Sequence, residues 1–296
     1  MAQILDGNAT AEVIRSEIAE SVQQLQRDHG VTPGLAVVLV GDDPASAVYV
    51  RNKGRACDRV GMMSETINLP KETTQKELSE LIVKLNDDPR FHGILVQLPL
   101  PKQINETEVL NLLDPDKDVD GLHPMNMGRL LTGQARYLPC TPHGVQQLLV
   151  RNGFSPEKKR VVICGRSQIV GKPLAALLMQ KADGANATVT VCHTGTQDMA
   201  SITRKADILI AAMGVPNAIT ADMVSDGVVV VDVGVNRVDD ASRKQGYRLV
   251  GDVDFEAVSA KAAAISPVPG GVGPMTITML LVNTLTAARL AAQGSA

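Results

Sequence analysis

The chain has 296 residues, 44% of them hydrophobic and 21% charged, with a formal net charge of −3; this fits one large or two smaller soluble domains and supplies no basic field for a nucleic-acid backbone. Aromatic residues make up only 2% and Trp is absent, which argues against a base-stacking surface and leaves the cores to Val, Leu, Ile, Ala and Met. The four cysteines, Cys57, Cys140, Cys164 and Cys192, form no C-x-x-C pair, so neither a zinc site nor a disulfide framework is expected, and no other metal site is read.

Taken in chain order, the N-terminal stretch carries acidic residues where a secretion signal needs a basic region. No apolar run is read as long enough to span a bilayer, so the expectation is a reducing cytoplasm and no membrane partner. Leu35–Val40 and Ile94–Leu98 read as buried strands and Ser64–Leu69 as a weaker one. Between the first and the weaker strand, Pro44–Val60 suits a helix opened by Pro44 and stopped near Gly61. Thr73–Asn86 reads as another helix, and Pro99–Pro142 as a loop-rich stretch crowded with Asp, Pro, Gly and Asn. From Arg160 the alternation restarts, with strand candidates at Val161–Cys164, Thr188–Cys192, Ile208–Ala212 and Val228–Val233.

Strands alternating with helix-sized segments predict an α/β fold of two α/β domains, the second a Rossmann-like doubly wound parallel sheet. The tail Ile277–Ala292 reads as a helix that crosses back to the first domain. The expected boundaries are therefore 1–140 plus 277–296 for one domain and 141–276 for the other.

Arg160–Pro173, RVVICGRSQIVGKP, ends a buried strand at Gly165 and leads towards a helix, the setting in which free N–H groups receive a pyrophosphate. The glycine fingerprint is incomplete, with Ser167 and Val170 where glycines are wanted and Gly171 one step late, so a plain strand–helix turn is the alternative. At the end of the next strand, TVTVCHTGT offers His193, Thr194 and Thr196 in place of the acidic residue that holds a ribose 2′-hydroxyl. With Arg166 in the turn, that absence favours a 2′-phosphate and hence NADP over NAD. His193 as a surface loop residue and Arg166 as a solvated side chain are the plainer readings.

In the first helix, Ser46, Tyr49 and Lys53 share one face that carries few large aliphatics. A lysine partly desolvated there can donate or accept a proton, and the tyrosine can offer its hydroxyl and ring to a flat substrate. A solvated basic helix (Arg51, Lys53, Arg55, Arg59) is the alternative. Gln97, a polar side chain in an apolar strand, needs partners, and Lys53 is the natural one. In KDVDGL, Asp120 could grip a heterocycle through paired N–H groups, while Asp118 reads as structural; an Asx turn is the simpler alternative. Pro267–Thr276, PVPGGVGPMT, suits a rigid wall that presents peptide groups to a flat molecule, or an ordinary breaker-rich connection.

Together PASAVYVRNK, GILVQLPLP, PDKDVDGLHP, PCTPHG, GRSQIVGKP, DVGVNR and PVPGGVGPMT, with DG near the start, resemble bifunctional methylenetetrahydrofolate dehydrogenase/methenyltetrahydrofolate cyclohydrolase of the bacterial single-polypeptide type over essentially the whole chain. The resemblance implies an active site in a cleft between the domains, a homodimer formed through the NADP domain, and a role in one-carbon metabolism and purine biosynthesis. It implies oxidation of 5,10-methylenetetrahydrofolate with NADP, then hydrolysis of the methenyl product to 10-formyltetrahydrofolate. Carried over by residue, Lys53 matches the essential lysine of proton transfer, Tyr49 the folate-positioning tyrosine, Gln97 the glutamine holding the lysine, and Asp120 the pterin-binding aspartate. Pro269, Gly270 and Gly271 match the folate loop; Gly165, Arg166, Ser167, Thr194 and Val235 match NADP contacts. A dehydrogenase-only enzyme and a non-catalytic NADP-binding regulator are the rival expectations, and a hydroxy-acid oxidoreductase would want its catalytic residue after the dinucleotide domain.

Overall fold

The computed structural model describes residues 2–243 and 246–294. The chain divides into two compact units, one running from the N-terminus to Glu12 and over Thr141–Thr276, the other over Val13–Cys140 and from Ile277 on. The first twelve residues thus group with 141–276 rather than with the segment that follows them. Gln3 and Ile4 pair in parallel with Ala264 and Ile265 and add an edge strand to that unit's sheet.

The unit built on Val13–Cys140 holds a three-stranded parallel sheet, in the order Met63–Leu69, Gly34–Val40, Gly93–Val96. Every residue of the central strand GLAVVLV is buried, the pattern of a parallel strand covered on both faces. Ala36, Val38 and Val40 cluster with Leu78, Ile82 and Leu85 of the helix Gln75–Asp87 and with Phe91 and Ile94. That helix opens with a capping box, the Thr74 hydroxyl taking the Glu77 N–H and the Glu77 carboxylate taking the Thr74 N–H. The helix Pro44–Arg59 is opened by Asp43, whose carboxylate accepts from Ser46 N at 2.7 Å, and by Pro44 in its first turn.

The stretch read as loops, Pro99–Pro142, is more ordered than expected. It contains the helices Glu106–Leu112 and Pro124–Leu131 and the start of Cys140–Arg151. Asn105 caps the first by accepting from Thr107 N and Glu108 N, and His123 caps the second through Met125 N ahead of Pro124. Helices of two turns carry no legible apolar period, so only the caps betray them.

The other unit is a six-stranded, all-parallel sheet in the order Thr188–Cys192, Arg160–Cys164, Ile208–Ala211, Val229–Asp232, Ala264–Ile265, Gln3–Ile4. The direction of winding reverses between Arg160–Cys164 and Ile208–Ala211. In open α/β sheets such a switch point leaves a crevice beyond the strand C-termini, where ligands bind. The four strands expected from the sequence are present. The two-residue strands and the antiparallel hairpin of Asn236–Asp239 with Tyr247–Val250 were not read.

The last helix begins at Val272 rather than Ile277, with Pro274 in its first turn, where no intrahelical donor is needed. Contrary to the reading of the apolar runs, its length and composition suffice to cross a bilayer, but 61% of its apolar window is buried within the protein, as in a core helix.

Candidate active-site residues and dinucleotide turn

Of the basic residues on the helix Pro44–Arg59, Arg51, Arg55 and Arg59 are exposed and Lys53 alone is buried, at 5% exposure. The solvated-helix reading therefore fails at the position that matters. Lys53 Nζ donates to Gln97 Oε1 at 2.9 Å and stands 5.0 Å from the centroid of the Tyr49 ring. Gln97 lies one residue beyond its strand; its N–H still pairs with Val38 O, and its Nε2 donates to Leu98 O at 2.7 Å. With its amide nitrogen engaged, the glutamine can present only its oxygen to the lysine. Among the described residues Gln97 is the one hydrogen-bond acceptor for Nζ, so two ammonium donors remain for a reactant. Burial pushes the Lys53 pKa below the usual lysine range, and the negative charge of Asp120 opposes that shift.

The loop carrying Asp120 is built by its neighbour. Asp118, at 1% exposure, accepts from Leu122 N, His123 N and Asn126 Nδ2, and burial holds its carboxyl above the usual range. Gly121 turns the chain with φ +75°, a left-handed conformation that suits glycine. The loop is braced again by Asn283, which donates to Val119 O at 2.8 Å and Leu138 O at 2.9 Å. Sequence reasoning missed Asn283. The signal was a lone amide in the apolar run MLLVNTL, which must find partners when buried. Cys140 is buried here as well, its thiol pushed far up by desolvation and donating to Val119 O, so it is no nucleophile.

In the sheet unit, Gly165 follows the strand Arg160–Cys164 at the switch point. Its φ is +137°, and a Cβ there would lie 2.1 Å from Ala212 O. Gly171, one step late for the fingerprint, begins the helix Gly171–Leu178, and a Cβ on it would lie 2.1 Å from Gly165 O. It therefore serves the close helix–strand packing of the fingerprint's third glycine. Ser167 Oγ accepts from Val170 N at 3.1 Å, and Arg166 and Ser167 are exposed beside the turn. After the strand Thr188–Cys192, His193 closes a tight turn on itself, Nδ1 accepting from Gly195 N, and Thr194 is exposed. His193 is a turn residue, as its plainer reading held. Val235 is 62% exposed beyond Val229–Asp232.

Pro269–Gly271 belongs to this same unit. Gly270 adopts φ +106° and its carbonyl accepts from Gly7 N at 2.9 Å. A Cβ on Gly7 would lie 1.7 Å from Gly271 O, a backbone atom with nowhere to go. The expected result for Gly7→Ala is a loss of about 3 kcal/mol, seen as a lower urea midpoint at an unchanged m-value. A midpoint matching the parent protein would show that the contact is not tight.

The structure thus brings Tyr49, Lys53, Gln97 and Asp120 together in one unit, and places the glycine turn, Thr194, Val235 and Pro269–Gly271 in the other. Sequence reasoning also missed two buried carboxylates, Asp232 and Asp252.

Two family models match the chain: the tetrahydrofolate dehydrogenase/cyclohydrolase catalytic domain over residues 5–120, and the NAD(P)-binding domain of the same description over 139–292. A bifunctional protein FolD of Dehalococcoides mccartyi is 57% identical, covering 98% of each chain. The crystal structure of a bifunctional FolD methylenetetrahydrofolate dehydrogenase/cyclohydrolase from Campylobacter jejuni is 48% identical over 98% of this chain and 99% of its own, with a TM-score of 0.91. The Trypanosoma brucei enzyme, complexed with NADP cofactor and inhibitor, is 40% identical over 98% of each chain, with a TM-score of 0.93.

Proposed function

Since the chain belongs to the tetrahydrofolate dehydrogenase/cyclohydrolase family, we propose that it oxidises 5,10-methylenetetrahydrofolate with NADP and hydrolyses the methenyl product to 10-formyltetrahydrofolate. The observation that carries the reading is Lys53, buried, held by Gln97 and flanked by Tyr49 and Asp120.

In the hydrolytic step water adds to the methenyl carbon of the cation, its oxygen gives up both protons as it becomes the formyl carbonyl, and the bond from that carbon to the ring nitrogen breaks as the nitrogen takes up one proton. One net proton is released. Lys53, with its pKa lowered by desolvation, exchanges protons with both centres, and Gln97 fixes the direction of its ammonium. Tyr49 lies against the reactant beside it, and Asp120 holds the pterin through its N–H groups.

The residues of the sheet unit fit a dinucleotide. A glycine turn that tolerates no Cβ at Gly165 or Gly171 lies at the switch point before a helix, the setting that receives a pyrophosphate, and the exposed Arg166 and Thr194 favour a 2′-phosphate over a hydroxyl. NADP bound there supplies the hydride acceptor; the protein's part is to orient the ring and exclude water. Gly165, Arg166, Ser167, Thr194 and Val235 are the NADP contacts we assign, and Pro269, Gly270 and Gly271 are assigned to folate binding.

The four cysteines are free and buried, in keeping with a reducing cytoplasm. The formyl product serves purine biosynthesis. We infer a homodimer from the family likeness, and the strand Thr188–Cys192, which pairs on one side only among the described residues, is an edge at which a second copy could dock.

The test supplies methylenetetrahydrofolate with NADP⁺ and follows reduced nicotinamide and then decay of the methenyl absorption; reduction with no decay supports a dehydrogenase alone, and binding with no reduction a regulator. The pH dependence is a second test. The Lys53 ammonium gives the proton to the ring nitrogen, so hydrolytic kcat falls as pH rises through its pKa. Asp120→Asn removes the charge that raises that pKa, so the fall moves to lower pH. A profile that stays in place or moves upward contradicts this role for Lys53.

A further inference from the structure

Two carboxylates lie inside the sheet unit without a basic partner among the described residues. Asp252, fully buried, accepts from the consecutive backbone N–H groups of Met213, Gly214 and Val215 at 2.5, 2.9 and 3.0 Å, and from Asn236 Nδ2 at 2.8 Å. Three successive N–H groups, with Gly214 at φ +68°, form an anion nest closed on a side chain of the same protein. Asp232, 4% exposed, accepts from Gly234 N and Asp252 N through Oδ1 and from Val253 N through Oδ2, and its own N–H donates to Ser266 Oγ.

Two glycines admit the pair. A Cβ on Gly234 would lie 2.1 Å from Asp252 Oδ1, and one on Gly251 would lie 1.8 Å from Asp232 Oδ2. Each carboxylate therefore fills the space that a glycine of the other's segment leaves empty. Burial raises the Asp232 carboxyl to about 6, a cost that backbone donors offset in part.

The segments tied together are those that leave the sheet at its ligand-binding end: Met213–Val215 follows the strand Ile208–Ala211, and Gly234–Asn236 follows Val229–Asp232. Val215, 50% exposed, and Val235, 62% exposed, stand on these two tethered loops. We propose that Asp252, supported by Asp232, is a positioning residue for the dinucleotide: it clamps the Val215 and Val235 loops at one spacing, so that the two valines bracket the bound cofactor. This rests on the assignment of Gly165–Ser167 and Val235 as NADP contacts.

Asparagine is a poor substitute for Asp252, because all four of its partners are donors and an amide nitrogen would face two of them whichever way it is turned. The test measures NADP⁺ dissociation constants and dehydrogenase KM and kcat for Asp252→Asn and Asn236→Ala, with Gly165→Ala as reference. Cyclohydrolase turnover, assayed on methenyltetrahydrofolate without nicotinamide, and the melting temperature report folding. Asn236→Ala cuts only one tether and decides the matter if Asp252→Asn does not fold. The expected result is a rise of at least fivefold in the NADP⁺ Kd and KM for Asn236→Ala, larger for Asp252→Asn, with cyclohydrolase turnover within twofold of the parent. NADP⁺ affinity unchanged in Asn236→Ala, or lost in step with cyclohydrolase activity and melting temperature, overturns the proposal. Tight NADP⁺ binding by Gly165→Ala would instead overturn the assignment of the glycine turn on which it rests.

Discussion

Lys53→Ala is expected to lower cyclohydrolase turnover by about 10²–10⁴-fold, the range that a positioned proton-transfer group contributes. Dehydrogenase turnover is expected to fall less, because hydride transfer needs donor and acceptor held in contact and no strong acid or base. The geometry gives the reason for the asymmetry. Lys53 is the only buried cation of its helix, its ammonium is aimed by Gln97, and its desolvation brings its pKa closer to the working range. Lys53→Met, which keeps the chain length and loses the charge, separates chemistry from packing and should lose the same step. If both variants retain hydrolysis at parental rates, the lysine has no part in the mechanism.

Gly165→Ala is expected to produce the opposite split, with dehydrogenase activity and NADP⁺ affinity reduced by about 100-fold or more and hydrolysis of supplied methenyltetrahydrofolate preserved. A methyl group there meets Ala212 O at 2.1 Å, and φ of +137° is a region that L-residues rarely adopt. Both penalties fall on the backbone, which cannot rotate away as a side chain could, so the turn must open by roughly an ångström or more, a displacement large enough to spoil oriented contacts. Isothermal titration with NADP⁺ reads the effect directly. Parental affinity in this variant would mean that the dinucleotide binds elsewhere.

The strands were legible because buried parallel strands are unbroken apolar runs, and GLAVVLV and VVIC can be little else. The face of Ser46, Tyr49 and Lys53 followed from helical spacing, and Gln97 from the need of a buried amide for a partner. What was not legible depends on contacts distant in sequence. Gln3 and Ile4 become a strand only because Ala264 and Ile265 lie beside them, and Gly7 is required only by the carbonyl of Gly271. Asp232 fell at the end of the strand read at Val228–Val233, and Asp252 was not singled out. Their burial is set by loops that approach from separate strands, which no local window contains. The short helices after Pro99 escaped because two turns give too few residues to show a period.

One turnover of Lys53→Ala tests the role of the buried lysine most directly. Methylenetetrahydrofolate and NADP⁺ are mixed with the parent protein or the variant while reduced nicotinamide and the methenyl absorption are followed together. The parent should reduce nicotinamide while the methenyl species stays low, and the variant should accumulate methenyltetrahydrofolate in step with the nicotinamide reduced. A variant that clears the methenyl species as quickly as the parent would show that hydrolysis proceeds without Lys53.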